Sequence, residues 1–209
     1  MINNTKGLLV VISSTSGGGK DSVIRELLKI FPNSDRLVTT TSRPPRPGNK
    51  EGVDYYFLTR EEFENRLEQD GFVEHNEYVG NFYGIERVRL EESLKNNEIV
   101  FTQIEVNGKH NLDKAGLEHL SIFLVPDDFD NLAERIRGRG GVSEEKLKER
   151  LEIAKYEVEK SEDYDYKVVN IQGKFEETVD KVVNIIRSHS TMNKMKYIVD
   201  TSDKPKGMA

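Results

Sequence analysis

The sequence predicts an α/β fold in which a parallel core sheet is flanked by helices. Two observations predict it: short, continuous apolar segments recur along the 209 residues, and amphipathic helical patterns separate them. A continuous apolar run is typical of a strand buried on both faces, as in a parallel sheet. Strands that alternate with helices are joined by right-handed crossovers. The predicted strands are residues 8–13, 98–104, 120–125 and 166–170, and the predicted helices between and after them are 87–95, 129–137 and 175–187.

Composition and charge exclude several classes of function. The formal net charge is −6, which argues against broad affinity for nucleic acid or for an anionic membrane surface. The chain has no cysteine, so disulfides and thiolate metal sites are excluded, and its four histidines are scattered. The apolar run near the N-terminus is too short for a signal peptide or a membrane span. We therefore expect a cytoplasmic protein with neither nucleic acid nor membrane as a partner.

A glycine-rich turn follows the first predicted strand and precedes a helical pattern. The backbone N–H groups of such a turn, with the helix N-terminus, point at an anion, and a lysine at its end reaches the terminal phosphates of a nucleotide. The strict pattern GxxxxGK[ST] is not met, because Ser14 stands at the first glycine and Asp21 follows the lysine. We expect ATP to bind here with Mg²⁺, with the hydroxyl of Ser22 as a weak metal ligand. The predicted ATP-binding residues of this turn are Ser16, Gly17, Gly18, Gly19, Lys20, Asp21 and Ser22.

Two segments interrupt the alternation of strands and helices. Residues 38–84 contain a loop rich in Pro, Gly and Arg, strand candidates at 55–58, 72–78 and 82–83, and a helix at 59–69 that opens with a capping box of Thr59 and Glu62. An irregular stretch at 136–141 leads into a charged helix at 143–160. We predict a single domain with its core at 1–37, 85–126 and 164–190, a small mixed α/β insertion at 38–84, a helical lid at 127–163, and a tail at 191–209 with a short strand at 196–200.

Six segments of the chain, in order, resemble guanylate kinases over roughly residues 7–187. They are the glycine turn, TTSRPPRPGNKEGVDYYF, EFENRLEQDGFVEHNEYVGNFYG, IEVNG, ERIRGRG and DYKVVN. The RxxR spacing in SRPPRPG, followed nine residues later by a tyrosine and then by GNFYG, is a specific signal. The resemblance implies a P-loop kinase with a monophosphate-binding insertion and a lid. It would transfer the γ-phosphate of ATP to a nucleoside monophosphate, GMP first.

The resemblance also assigns residues to the two substrates. Arg43 and Arg46 lie three apart in a proline-stiffened loop, which limits the entropy lost when two guanidinium groups hold one phosphate. Glu74 matches a glutamate that accepts hydrogen bonds from guanine and rejects adenine, whose N1 is itself an acceptor. The implied acceptor site is Thr39, Arg43, Arg46, Tyr55, Glu74, Tyr83, Ile85 and Glu105. The implied catalytic residues are Lys20, Arg135, Arg139 and Arg150, and Asn170 resembles the residue that contacts the adenine of ATP.

The departures from the family pattern concern mainly the acceptor base. Ile85 stands where the family usually has a Ser or Thr that reads the guanine carbonyl, and Gln103 and Glu105 replace two acidic residues. A lost hydrogen bond to the base would cost about 1–3 kcal/mol. Three alternatives stay open: a kinase for a modified purine monophosphate, a kinase for ribose 1,5-bisphosphate, and a catalytically weak binding module. A homodimer also stays open.

Overall fold

The computed structural model describes residues 7–78, 80–138 and 142–201, with 190–201 described by their backbone alone. Its core is a parallel sheet with the strand order β2-β7-β1-β8-β9. These strands are β1 (Leu8–Ser14), β2 (Ser34–Arg36), β7 (Ile99–Thr102), β8 (Leu120–Pro126) and β9 (Tyr166–Asn170). The α/β fold predicted from the alternation of elements is therefore confirmed.

The central strand β1 is buried on both faces of this sheet. Val10 and Ile12 point into one apolar cluster, and Leu9 and Val11 point into a second. Because successive side chains of a strand point to opposite faces, only a continuous apolar run can fill both clusters. This burial fixes the glycine turn that follows the strand.

Helices pack on both faces of the core sheet. The helix α1 begins directly after the glycine turn and packs on the first cluster together with α7, while α3 and α4 pack on the second. The helices are α1 (Lys20–Ile30), α2 (Arg60–Glu68), α3 (Arg87–Asn96), α4 (Val106–Lys114), α5 (Phe129–Gly138), α6 (Glu144–Lys160) and α7 (Phe175–Thr201), with a 3₁₀ turn at Ser161–Asp163. The predicted strand at 196–200 is wrong, since these residues continue α7.

Residues from the insertion form a second, mixed sheet with the order β4-β3-β6-β5. Its strands are β3 (Thr40–Thr41), β4 (Tyr56–Phe57), β5 (Phe72–Tyr78) and β6 (Asn81–Glu86), so β6 runs past the predicted boundary at residue 84. The helix α2 covers this sheet and opens with the predicted capping box of Thr59 and Glu62. Phe63 of α2 stacks on Phe72 at 4.2 Å and on Phe82 at 5.2 Å between ring centroids. These ring contacts hold the insertion together as a small packed unit.

The helices α5 and α6 lie in the segment predicted as a lid and share an apolar cluster of their own. Leu132 and Ile136 of α5 pack with Leu147 and Ala154 of α6. A β-carbon added at Gly17 would lie 3.2 Å from Ile136 and 3.3 Å from Leu132, so α5 packs directly on the glycine turn. Among the residues that the structure describes, no helix is both long enough and apolar enough to span a membrane.

Candidate active site

A cleft of about 380 Å³ opens at the carboxyl ends of the core strands, between the glycine turn and the insertion. Lys20 follows β1, and Gln103 follows β7, so the cleft has the position that ligands take in open parallel sheets. The predicted site residues that line it are Lys20, Asp21, Thr39, Arg43, Arg46, Tyr55, Glu74, Tyr83 and Glu105. The topology thus brings the start of α1 and the acceptor residues, far apart in sequence, to one cavity, while the predicted residues Ser16, Gly17, Gly18, Gly19 and Ser22 do not line it.

The glycine turn has the backbone shape of an anion-binding loop. Gly17 and Gly19 have φ values of 88° and 87°, a region that residues with a side chain rarely adopt. The N–H of Gly18 donates to the carbonyl of Thr15 at 2.8 Å, which closes the turn. Gly19 is the N-cap of α1, and Lys20 is the first residue of that helix. An anion bound here would meet the free N–H groups of the helix N-terminus and the ammonium group of Lys20.

Arg43 and its partners form an ordered group of cations and phenols on the insertion. The Nη2 atom of Arg43 donates to Oδ1 of Asn49 at 3.2 Å, and the same oxygen accepts from the backbone N–H of Arg46 at 3.0 Å. The guanidinium of Arg43 lies 5.6 Å from the ring centroid of Tyr55, and the rings of Tyr55 and Tyr83 are 5.9 Å apart. These contacts hold Arg43 beside Tyr55, whose ring contacts that of Tyr83, which lowers the entropy cost of holding a phosphate.

Glu74 is a buried carboxyl group at the inner end of the cleft. Its residue is 5% exposed, and its Oε2 has no hydrogen-bond partner among the described residues. Burial, and after it the neighbouring charge of Glu105, raises the pKa of this carboxyl to about 8. Burial also raises the pKa of Glu105, while Lys20 acts against that rise. An orphaned buried carboxyl is costly unless a ligand satisfies it, so Glu74 is suited to a ligand with N–H donors.

The structure does not bring Ile85 to the cleft, contrary to the expectation from the sequence. Ile85 is fully buried and packs in the second core cluster with Leu9, Val11 and Leu90. Its position in the family pattern suggested contact with the base, but an isoleucine gains more from the adjacent apolar cluster than from a polar cleft. Ile85 offers no hydroxyl in either position, so recognition of a guanine carbonyl must come from other polar groups of the cleft.

The lid arginines fall into three different situations. Arg135 is tied to the base of the lid, where Nη2 donates to Oδ1 of Asp127 at 3.3 Å and to the carbonyl of Asn170 at 3.2 Å, so it does not line the cleft. Arg150 of α6 is half-buried, and its charge opposes a rise in the pKa of the Tyr78 hydroxyl that comes first from burial and next from Glu105. Arg139 lies outside the described residues.

Asn170 has a structural role that the sequence did not predict. Its Nδ2 donates to the carbonyl of Gly18 at 2.9 Å, and its Oδ1 accepts from the hydroxyl of Thr178 at 3.1 Å. Both ends of the amide are therefore occupied by protein groups within the described structure. The side chain ties β9 and α7 to the glycine turn and does not point freely toward a base.

Several residues that line the cleft were missed as site residues by the sequence analysis: Arg36, Asn49, Asp54, Asn76 and Tyr78. Asn49 could have been identified as a site residue from the sequence, because it lies in the Pro- and Gly-rich loop that carries Arg43 and Arg46. Arg36 had none, because β2 is too short to show a strand pattern.

The parallel sheet, the glycine turn with its lysine, and the cleft shared with two arginines define a P-loop kinase that acts on a small phosphorylated acceptor. The family model described as guanylate kinase matches residues 6–189. Guanylate kinases of Streptococcus pneumoniae and Listeria monocytogenes are 43% and 41% identical over 80% and 94% of this chain, and the matches cover 81% and 89% of the relatives. The crystal structure of guanylate kinase from Anaplasma phagocytophilum matches with a TM-score of 0.69 at 34% identity, over 88% of this chain and 86% of that one. The chain belongs to the guanylate kinase family and is a nucleoside monophosphate kinase.

Proposed function

We propose that the protein transfers the γ-phosphate of ATP to GMP and releases GDP and ADP. The observation that carries the choice of acceptor is the buried carboxyl of Glu74, which lines the cleft and whose Oε2 is unpartnered within the described structure. Guanine offers two adjacent N–H donors to one carboxylate, whereas adenine presents an acceptor at N1. A site built to hydrogen-bond N–H groups rejects a base that lacks them. Membership of the guanylate kinase family supports the same acceptor.

The phosphate groups of the two substrates meet between the glycine turn and the insertion. Lys20 and the N-terminus of α1 hold the terminal phosphates of ATP. Arg43 and Arg46, with the hydroxyls of Tyr55 and Tyr83, hold the phosphate of GMP. Phosphoryl transfer needs little covalent help from protein, so positioning and charge neutralisation supply most of the catalysis. Arg150, and Arg139 on the segment outside the described residues, would add positive charge when the lid closes.

Mg²⁺ is the metal that we propose for this reaction. Within the described residues, no group of three acidic or histidine side chains could hold a metal by itself. Ser22 in the first turn of α1 offers an oxygen ligand, the type that Mg²⁺ prefers, and the phosphates of ATP would supply the rest. Bound Mg²⁺ would neutralise charge on the transferring phosphate. We also propose that core, insertion and lid act as the three parts of one cytoplasmic domain; a homodimer stays a prediction.

An acceptor panel tests the proposal. ADP release is measured with ATP·Mg²⁺ and GMP, AMP, CMP, UMP or ribose 1,5-bisphosphate, for the wild type and for Glu74→Gln. We expect GMP to have the highest kcat/KM, and Glu74→Gln to lower that value by at least about 100-fold, since it removes a charged hydrogen-bond acceptor. Glu61→Gln is the matched control, because Glu61 is exposed on α2 away from the cleft. Preferred turnover of another acceptor, or an unchanged Glu74→Gln enzyme, would contradict the proposal.

A further inference from the structure

An ion pair in the cleft takes no part in the contacts of the glycine turn or of the arginine clamp, by which we mean Arg43 and Arg46. Asp21 lies in the first turn of α1, directly after Lys20, and its Oδ1 is 3.5 Å from Nη2 of Arg36 at the end of β2. Both residues line the same cleft as Arg43 and Tyr55. The pair therefore lies where the proposed reaction brings two anionic substrates together.

The charge of Asp21 reaches the site proposed for the acceptor phosphate. The pKa of the Tyr55 hydroxyl is raised mainly by burial and next by Tyr83, and Asp21 adds to the rise while Arg43 opposes it. A carboxylate whose charge raises the pKa of this hydroxyl would also repel a phosphate group bound to the hydroxyl. Asp21 would thus weaken the clamp unless another group offsets its charge.

Arg36 is placed to offset that charge. Its backbone is held in the core sheet by pairing with Phe101 of β7, and its side chain is 30% exposed, compared with 60% for Asp21. Arg43, which also lines the cleft, has a different partner, since it donates to Asn49. Because a guanidinium stays charged at all physiological pH values, Arg36 can neutralise Asp21 permanently.

We propose that Arg36 is a positioning residue that neutralises Asp21 and thereby lets the cleft accept the phosphate of a nucleoside monophosphate. Arg36 acts through Asp21 and does not need to touch the acceptor. The inference rests on the proposed function, because it assumes that GMP places its phosphate at Tyr55.

A double-mutant cycle tests the coupling between the two residues. The dissociation constants of GMP and of guanosine are measured by calorimetry, without ATP, for the wild type, Arg36→Gln, Asp21→Ser and the double variant. Arg36→Gln should weaken GMP binding about tenfold, or about 1.4 kcal/mol, and leave guanosine binding unchanged. In the Asp21→Ser background the same substitution should weaken GMP binding less than about threefold. The tenfold loss should shrink at about 0.5 M KCl, since partly exposed charges are screened by salt.

Two further variants separate charge from folding. Arg36→Lys keeps the charge and should bind GMP within about threefold of the wild type. Arg25→Gln removes the same charge from α1, but Arg25 is 68% exposed beside Glu26 and does not line the cleft, so its GMP affinity should not change. An equal loss from Arg36→Gln in both backgrounds, or no loss in either, would overturn the inference. A wild type that does not bind GMP would instead overturn the proposed function.

Discussion

Binding of GMP should release a proton from Glu74, and the substitution Glu74→Gln should abolish this release. Burial holds the pKa of the free carboxyl at about 8, so about 0.9 of the molecules carry the proton at pH 7. Guanine N–H groups donate to the ionised form, which moves the pKa of the bound carboxyl well below 7. We therefore expect about 0.9 proton to be released per GMP at pH 7 and about 0.25 at pH 8.5. The ionisation at pH 7 costs about 1.4 kcal/mol of affinity, which is recovered as the pH rises.

Calorimetry measures this proton release directly. The binding enthalpy of GMP is recorded at one pH in several buffers with different ionisation enthalpies, and the slope of one against the other is the number of protons exchanged. The slope of Glu74→Gln, which keeps any contribution from the phosphate of GMP, is subtracted. A wild-type slope equal to that of Glu74→Gln at pH 7 would contradict proton release from Glu74, because this carboxyl would then be ionised before binding or would not contact the base.

Three further predictions concern the glycine turn, the core and the clamp. Lys20→Met should lower kcat by at least about 100-fold, because it removes the positive charge that stabilises the transferring phosphate. The circular dichroism spectrum should not change, because the substitution removes no core contact. Ile85→Ser should lower the free energy of unfolding by about 3 kcal/mol in urea titrations, whereas Val88→Ser, at a position 71% exposed, should change it little. A lower KM for GMP with unchanged stability would instead mean that residue 85 contacts the acceptor base, as expected from the sequence. Asn49→Ala should raise the KM for GMP about fivefold at constant kcat, because it frees Arg43 from its fixed geometry, and an unchanged KM would show that the clamp orders itself without Asn49.

The long elements of the core could be predicted from the sequence, because their buried positions require apolar residues. The strand β1 fills two apolar clusters, so every residue in its middle must be apolar, and the glycines after it mark the turn. The capping box of Thr59 and Glu62 marked the start of α2 for a similar reason, since both polar groups satisfy helix N–H groups locally. The short strands β2 and β3 gave no such pattern, and Arg36 was missed with β2.

Side-chain direction was the part of the site that the sequence could not determine. Ile85 and Tyr83 share one face of β6, yet Tyr83 lines the cleft while Ile85 enters the core, because the two ends of the strand meet different neighbours. Asn170 similarly reaches Gly18 and Thr178, two contacts made by tertiary packing. The resemblance indicated which positions lie near the substrates, and only the packing shows which side chains face them.

Transfer of one phosphate from ATP to GMP in this cleft can be observed directly. Phosphorus-31 NMR of purified protein with equimolar ATP·Mg²⁺ and GMP follows both nucleotides at once. We expect GDP and ADP to appear together in equal amounts, and the signals of ATP and GMP to fall at the same rate. Appearance of ADP and inorganic phosphate without GDP, or no change at high enzyme concentration, would contradict it.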